Sequence, residues 1–209
     1  MIQFKDRQDA GRQLARALRE YSDGDSVIYA LPRGGVVLGS EIANTLHIPL
    51  DLVITRKIGH PSNPEYAICA VSEDGELVCN EVEKAFVNKD WLKNAVAKEV
   101  KEAARRREVY LRGIKHIPAT NITAIVVDDG VATGLTIKAA LQSLRKEKPK
   151  KLMVAIPVAP HDTLNELRGS ADEVVVLEDA KDYLGAVGAY YAYFPQVTDE
   201  EVIKLLTRL

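Results

Sequence analysis

The chain has 209 residues, 46% of them apolar, and a formal net charge of −2. A polypeptide of this size buries one substantial core, and its near-neutral balance argues against a general nucleic-acid binder. The longest uncharged apolar segment, Leu152 to Pro160, is far too short to span a bilayer, and the first residues, Met1-Ile-Gln-Phe-Lys-Asp-Arg7, lack a signal-peptide pattern, so a cytoplasmic protein without a membrane partner is expected.

Read in chain order, strands and helices alternate as in an α/β, doubly wound, mainly parallel sheet. An amphipathic helix over roughly Asp6 to Tyr21 precedes a strand at Val27 to Leu31. The loop Pro32-Arg33-Gly34-Gly35 then feeds a helix with Leu38, Ile42 and Leu46 on one face. A second strand runs from Leu50 to Thr55 and ends at Arg56-Lys57. Residues 58 to 81 break the pattern: Gly, Pro, Asn and an Asp74-Gly75 turn separate two short alternating runs, which predicts a hairpin excursion. A long charged helix, about Asp90 to Arg112, leads to a strand at Ile122 to Val127. Further strands are expected at Leu152 to Val158 and Val174 to Leu177. The segment from Asp182 to Leu209 is rich in aromatics and ends in a short helix, for which Thr198 or Asp199 is the N-cap.

Three strand ends carry chemistry. The apolar run ending at Val127 delivers Asp128 and Asp129 to the carboxyl edge of the sheet, where open α/β sheets bind ligands. Adjacent carboxylates there suit a vicinal diol or a metal-bound sugar. Gly130, Val131, Ala132, Thr133, Gly134, Leu135 and Thr136 follow as a small-residue loop with two hydroxyl donors. The next helix turns its positive end toward an anion. Helical spacing of Ile137, Ala140, Leu141 and Leu144 supports that helix. At the second strand end, Arg33 pairs a planar cation with the accessible backbone of Gly34 and Gly35, a combination that recognises phosphate oxygens. At the third, Arg56 and Lys57 are either a second pair of anion ligands or a solvated pair. A nucleotide P-loop is excluded, because no Gly-Lys-Ser/Thr ending is present.

The segment from Ala124 to Thr136 resembles the phosphoribosyl pyrophosphate (PRPP) motif of type I phosphoribosyltransferases. Nearly the whole chain is similar to a bacterial and archaeal group within that family whose substrate is unassigned, through Leu-Pro-Arg-Gly-Gly35, Arg56-Lys-Ile-Gly59, Asn63-Pro-Glu65 and Val127-Asp-Asp-Gly-Val-Ala-Thr-Gly134. The resemblance implies that Asp128 and Asp129 hold the ribose hydroxyls and that residues 130–136 wrap the 5′-phosphate. It further implies that Arg33, Gly34, Gly35, Arg56 and Lys57 receive the diphosphate. The reaction implied is transfer of the phosphoribosyl group from PRPP to a nitrogenous acceptor, with Mg2+ carried by the substrate and no metal site built by the protein alone. The alternative is a protein that senses PRPP without turnover.

The resemblance also divides the chain into a core, residues 1–181, containing a flexible loop at 58–81, and a C-terminal hood, residues 182–209. Glu65 in the loop is the candidate acid or base, with Lys57 beside the reacting centre. Ala132 stands where enzymes acting on 6-oxopurines carry an Asp, which disfavours that acceptor class. Tyr183 and Tyr190 are candidates for stacking on the acceptor, although most hood aromatics are expected to be packing. A homodimer is common in the family. Arg105-Arg106-Arg107 reads as a solvated helix face. Cys69 and Cys79 either face each other across the hairpin or, as expected here, remain two half-buried thiols, and the four histidines show no metal-ligand spacing.

Overall fold

The computed structural model describes residues 3–22 and 24–207. In chain order the elements are α1 (Arg7–Ala17), β1 (Ser26–Ala30), α2 (Gly34–Leu46), β2 (Leu50–Leu52), β3 (Thr55–His60), β4 (Asn63–Ser72), β5 (Leu77–Cys79), α3 (Glu81–Ala85), α4 (Lys89–Leu111), β6 (Thr123–Val127), α5 (Leu135–Lys146), β7 (Lys151–Pro160), α6 (His161–Arg168), β8 (Glu173–Ala180) and α7 (Asp199–Leu206). Five strands form one parallel sheet in the order β2-β1-β6-β7-β8. This is the doubly wound architecture that the alternating pattern predicts.

The period of two along each strand sorts side chains onto two faces. Ile28, Ile125, Val127, Met153 and Ala155 meet Ala10, Leu14 and Leu18 from the α1 side and Leu38, Ile42 and Leu46 of α2. Val27, Tyr29, Ala124, Val126 and Val154 meet Ile137, Leu141 and Leu144 of α5 and Leu164 and Leu167 of α6. Each fully buried Leu or Ile contributes roughly 1.5–3 kcal/mol, so both helical layers are held mainly by apolar burial. The helix ends follow their sequence signals. The side chain of Asp6 caps α1 by accepting from the Asp9 N–H at 2.8 Å, and Thr198 with Glu201 forms a capping box on α7.

The stretch expected as one strand from Leu50 to Thr55 is two strands in different sheets. The change of partner falls between Val53 and Ile54: the Val53 N–H still donates to the Ala30 carbonyl at the end of β1, whereas the Ile54 carbonyl accepts from Glu73 N–H. A continuous apolar run conceals such a change of partner. The excursion at residues 58–81 is likewise mostly ordered strand, with β3-β4-β5 forming a three-stranded antiparallel sheet. Ile58, Ile68 and Val71 of this arm pack with Leu92 of α4, while Ala70 packs with Leu135 and Ala139 of α5.

Two expectations about single residues are corrected. Cys69 and Cys79 are register partners in β4 and β5, with Cα atoms 4.0 Å apart, and form a disulfide rather than two thiols. The arginine run is not uniformly solvated. The Arg107 guanidinium donates to the Leu52 carbonyl at 2.6 Å and pairs with Glu73 and the buried Asp51. The N-terminal segment joins the C-terminal one: Phe4 N–H donates to Tyr190 O, and Ala192 N–H to Phe4 O, both at 2.8 Å. No helix among the described residues is long and apolar enough to cross a membrane.

Candidate active site

The carboxyl ends of β1 and β6 lie side by side, and the loops that leave them form one cleft. The Leu31 N–H donates to the Val127 carbonyl at 2.9 Å, so the turn into α2 lies against the start of the acid pair. Across a cis Pro32–Arg33 peptide, Gly34 approaches so closely that a Cβ there would stand 1.8 Å from Asp129 Oδ2. Only glycine fits at that contact. The cleft encloses about 400 Å3 and is lined by Arg33, Gly34, Arg56, Lys57, both acids, residues 130–134 and Thr136. It also takes Arg106 from α4 and Val187 and Phe194 from the hood.

Most of the predicted site residues therefore meet. Residues 130–134 and Thr136 border the cleft, and the buried Val131 and Leu135 anchor the loop. Val131 N–H donates to the Val158 carbonyl at 2.9 Å, Thr163 Oγ1 donates to the Ala132 carbonyl at 2.8 Å, and Leu135 packs against the arm. Gly134, at φ 74°, makes the left-handed entry into α5. The first N–H groups of that helix have no intrahelical acceptors and no side-chain cap, which leaves them for an anion. Gly35 supports the site from behind, since a Cβ would lie 2.7 Å from the Val127 carbonyl.

Four cations, Arg33, Arg56, Lys57 and Arg106, share the cleft with the acids. Arg56 Nε donates to Glu99 Oε2 at 2.8 Å, Arg106 Nε to Glu102 Oε1 at 2.9 Å, and Arg33 stands 3.5 Å from Asp199. Lys57 is exposed at the rim. The acids differ in their surroundings. Burial and the adjacent Asp129 charge push the Asp128 carboxyl well above its ordinary range. Burial also raises Asp129, but Arg7 opposes it, with Nε 2.7 Å from Asp129 Oδ2.

Besides Gly35 and Leu135, three predicted residues lie outside the cleft lining: Glu65, Tyr183 and Tyr190. Glu65 is exposed on β4. Tyr190 is 2% exposed, its hydroxyl accepting from Leu184 N–H at 3.0 Å, and Tyr183 stacks on it with ring centroids 5.7 Å apart. Phe194 is instead the aromatic ring at the cleft. Arg7, Arg106 and Tyr191 were missing from the sequence-derived set. Arg7 lies 122 residues from Asp129, so no local spacing marks it, and Arg106 is hidden in a charged helix.

The phosphoribosyl transferase domain model matches residues 3–193. Two proteins of Mycobacterium tuberculosis, from strains CDC 1551 and H37Rv and provisionally named phosphoribosyl transferases, are each 42% identical over 207 residues. The match takes in 98% of this chain, and the chain spans about half (46%) of the length of these curated relatives. The crystal structure of TT1426 from Thermus thermophilus is 40% identical, covers 99% of both chains and superposes with a TM-score of 0.82. A Neisseria gonorrhoeae hypothetical protein solved with bound ppGpp shares the fold at 15% identity and a TM-score of 0.50, over 99% of this chain and 96% of that one.

Proposed function

The chain belongs to the phosphoribosyl transferase family, and on that footing we propose that it transfers the 5-phosphoribosyl group of PRPP to a nitrogenous acceptor with release of diphosphate. The observation that carries this reading is that one cleft brings together the Asp128–Asp129 pair, the uncapped helix start after Gly134 and four cations, Arg33, Arg56, Lys57 and Arg106. The two carboxylates receive the ribose 2′- and 3′-hydroxyls. The 5′-phosphate takes hydrogen bonds from the 130–136 loop and the Thr133 and Thr136 hydroxyls, while Arg33, Arg56 and Lys57 face the diphosphate.

As the acceptor nitrogen bonds to C1 and the C1–O bond to diphosphate breaks, negative charge moves onto the leaving oxygens beside these cations. The protein's contribution is to orient the ribose and stabilise the departing charge. Among the described residues no group of three or more His, Cys, Asp or Glu side chains is arranged to hold a metal. Asp128 and Asp129 nevertheless supply hard oxygen donors at the ribose, which fits a magnesium ion brought in by the substrate rather than one held by the protein alone. Such an ion would neutralise the diphosphate. Glu65 lies away from this chemistry in the present geometry and would take part only if the arm folded over the cleft. A cytoplasmic location forms part of the same reading.

The test is diphosphate release from Mg-PRPP with a panel of purine, pyrimidine and small amine acceptors, with Asp129→Ala as control. Acceptor-dependent release lost in the variant supports an enzyme and names its acceptor class. PRPP binding without release by any acceptor favours a sensor, and absence of PRPP binding overturns the proposal.

A further inference from the structure

Arg7 opens α1, remote in sequence from every motif, yet it is 9% exposed and its guanidinium touches three parts of the site. Its Nε donates to Asp129 Oδ2 at 2.7 Å, one terminal nitrogen donates to the Pro195 carbonyl at 2.6 Å, and the guanidinium carbon lies 3.6 Å from the centre of the Phe194 ring. Phe194 in turn lines the cleft. A buried arginine with two hydrogen bonds and a ring beneath it has little rotational freedom, so each partner is held where the guanidinium holds it.

We propose that Arg7 is the positioning residue of the ribose site: it holds the Asp129 carboxylate in place as the acceptor of one ribose hydroxyl and ties that carboxylate to the hood. The inference rests on the reading of the cleft as a PRPP site. Among the described residues Asp128 has no comparable cation in contact; its Oδ1 accepts from the Asp129 N–H at 2.8 Å. Arg7 thus makes the two adjacent acids unequal, one clamped by a guanidinium and the other bonded to the backbone of its neighbour. The groups that face Asp129 are Asp128 beside it, Arg7 from α1, Lys57 from β3, and the Tyr191 phenol of the hood, which bonds its carbonyl. Arg33, Arg56 and Arg106 line the same cleft. Lys57 acts on both acids, whereas Arg7 is hydrogen-bonded to the Asp129 carboxylate.

The test measures binding of Mg-PRPP, ribose 5-phosphate and inorganic diphosphate by calorimetry in the wild type, Arg7→Gln and Arg7→Lys, and follows the Asp129 amide and the Phe194 ring of the unliganded proteins by NMR. In Arg7→Gln the Kd for Mg-PRPP and for ribose 5-phosphate should rise roughly ten- to hundredfold, while that for diphosphate stays within about twofold. The Asp129 and Phe194 signals should shift together. Arg7→Lys, which keeps the charge but not the fork, should lie between the two, and it carries the test if Arg7→Gln fails to fold. Asp129 and Phe194 signals unchanged in the folded variants overturn the proposal, as does an equal affinity loss for diphosphate. If the wild type does not bind Mg-PRPP, the proposed function fails while the NMR signals still decide the role of Arg7.

Discussion

Tyr191 donates its phenolic hydroxyl to the main-chain carbonyl of Asp129 at 2.6 Å, so the hood is bonded to the backbone of the acid pair itself. The ring is 5% exposed and packs against Phe4 and Phe194, with centroids 5.2 and 4.6 Å away. Burial raises the phenol well above its ordinary range, which keeps it a proton donor at all working pH values. Tyr191→Phe preserves the ring and removes only the bond, leaving a confined carbonyl unpaired at a cost of about 1–3 kcal/mol. The melting temperature should fall by roughly 2–4 °C per kcal/mol in a chain of this length. Thermal unfolding that coincides with wild type would show that the bond contributes nothing.

Asp128→Asn should stabilise the fold while abolishing ligand binding. The Asp128 carboxyl is raised in the folded state by burial and by Asp129. Its neutral form is therefore favoured on folding, and the associated stability is present below the unfolded pKa and lost as pH rises through the folded value. At pH 7 the ionised group is a net cost, which the amide relieves by roughly 0.5–2 kcal/mol. Unfolding in urea at several pH values tests both the sign and the slope: the gain should shrink as the pH approaches 4. Equal or lower stability of the variant at pH 7 would contradict the account.

The linker after α4 is fastened by a second charged cluster, remote from the cleft. His116 Nδ1 lies 2.7 Å from Asp51 Oδ2, its Nε2 lies 2.9 Å from Glu147 Oε1, and Asp51 also accepts from Ile117 N–H at 2.8 Å. Bonding to Asp51 raises the His116 pKa above its usual value. That contribution is complete below about pH 6.5 and disappears as pH rises through the elevated folded value. His116→Gln should be less stable than wild type at pH 6 and converge on it toward pH 8.5. A difference that stays constant over that interval would assign the cluster to packing alone.

Much of the site was legible because strand-end chemistry is local. An apolar strand, two acids, a small-residue loop and a periodic helix occur within about twenty residues, so Asp128, Asp129 and the loop were placed by pattern alone. Arg33 and Lys57 were legible for the same reason. Arg7, Tyr191 and Phe194 were not, since their roles arise where the two ends of the chain cross, and tertiary contact leaves no spacing signal. The passage from β2 into β3 was hidden because a buried strand and a buried link share one apolar composition. Tyr190 illustrates the converse limit: an aromatic cluster looked suited to stacking, but its ring belongs to the packing beneath the hood.

The two adjacent cations Arg56 and Lys57, indistinguishable by position in sequence, should respond differently to mutation. Arg56 is held by Glu99 at 2.8 Å, so part of its charge is already compensated. Lys57 is exposed at the cleft rim, and its charge lowers the pKa of both Asp128 and Asp129. An incoming diphosphate therefore gains more from Lys57, whose ammonium has no carboxylate within ion-pair distance among the described residues, whereas it must compete with Glu99 for Arg56. Lys57→Gln should weaken diphosphate binding by about tenfold, as expected for loss of one charge-assisted contact, with the loss shrinking at high salt. Arg56→Gln should cost less, and ribose 5-phosphate, which lacks the diphosphate, should bind both variants nearly as it binds wild type. Calorimetric titration with the two ligands separates these outcomes. A larger loss in Arg56→Gln, or an equal loss for ribose 5-phosphate, would place the diphosphate elsewhere in the cleft.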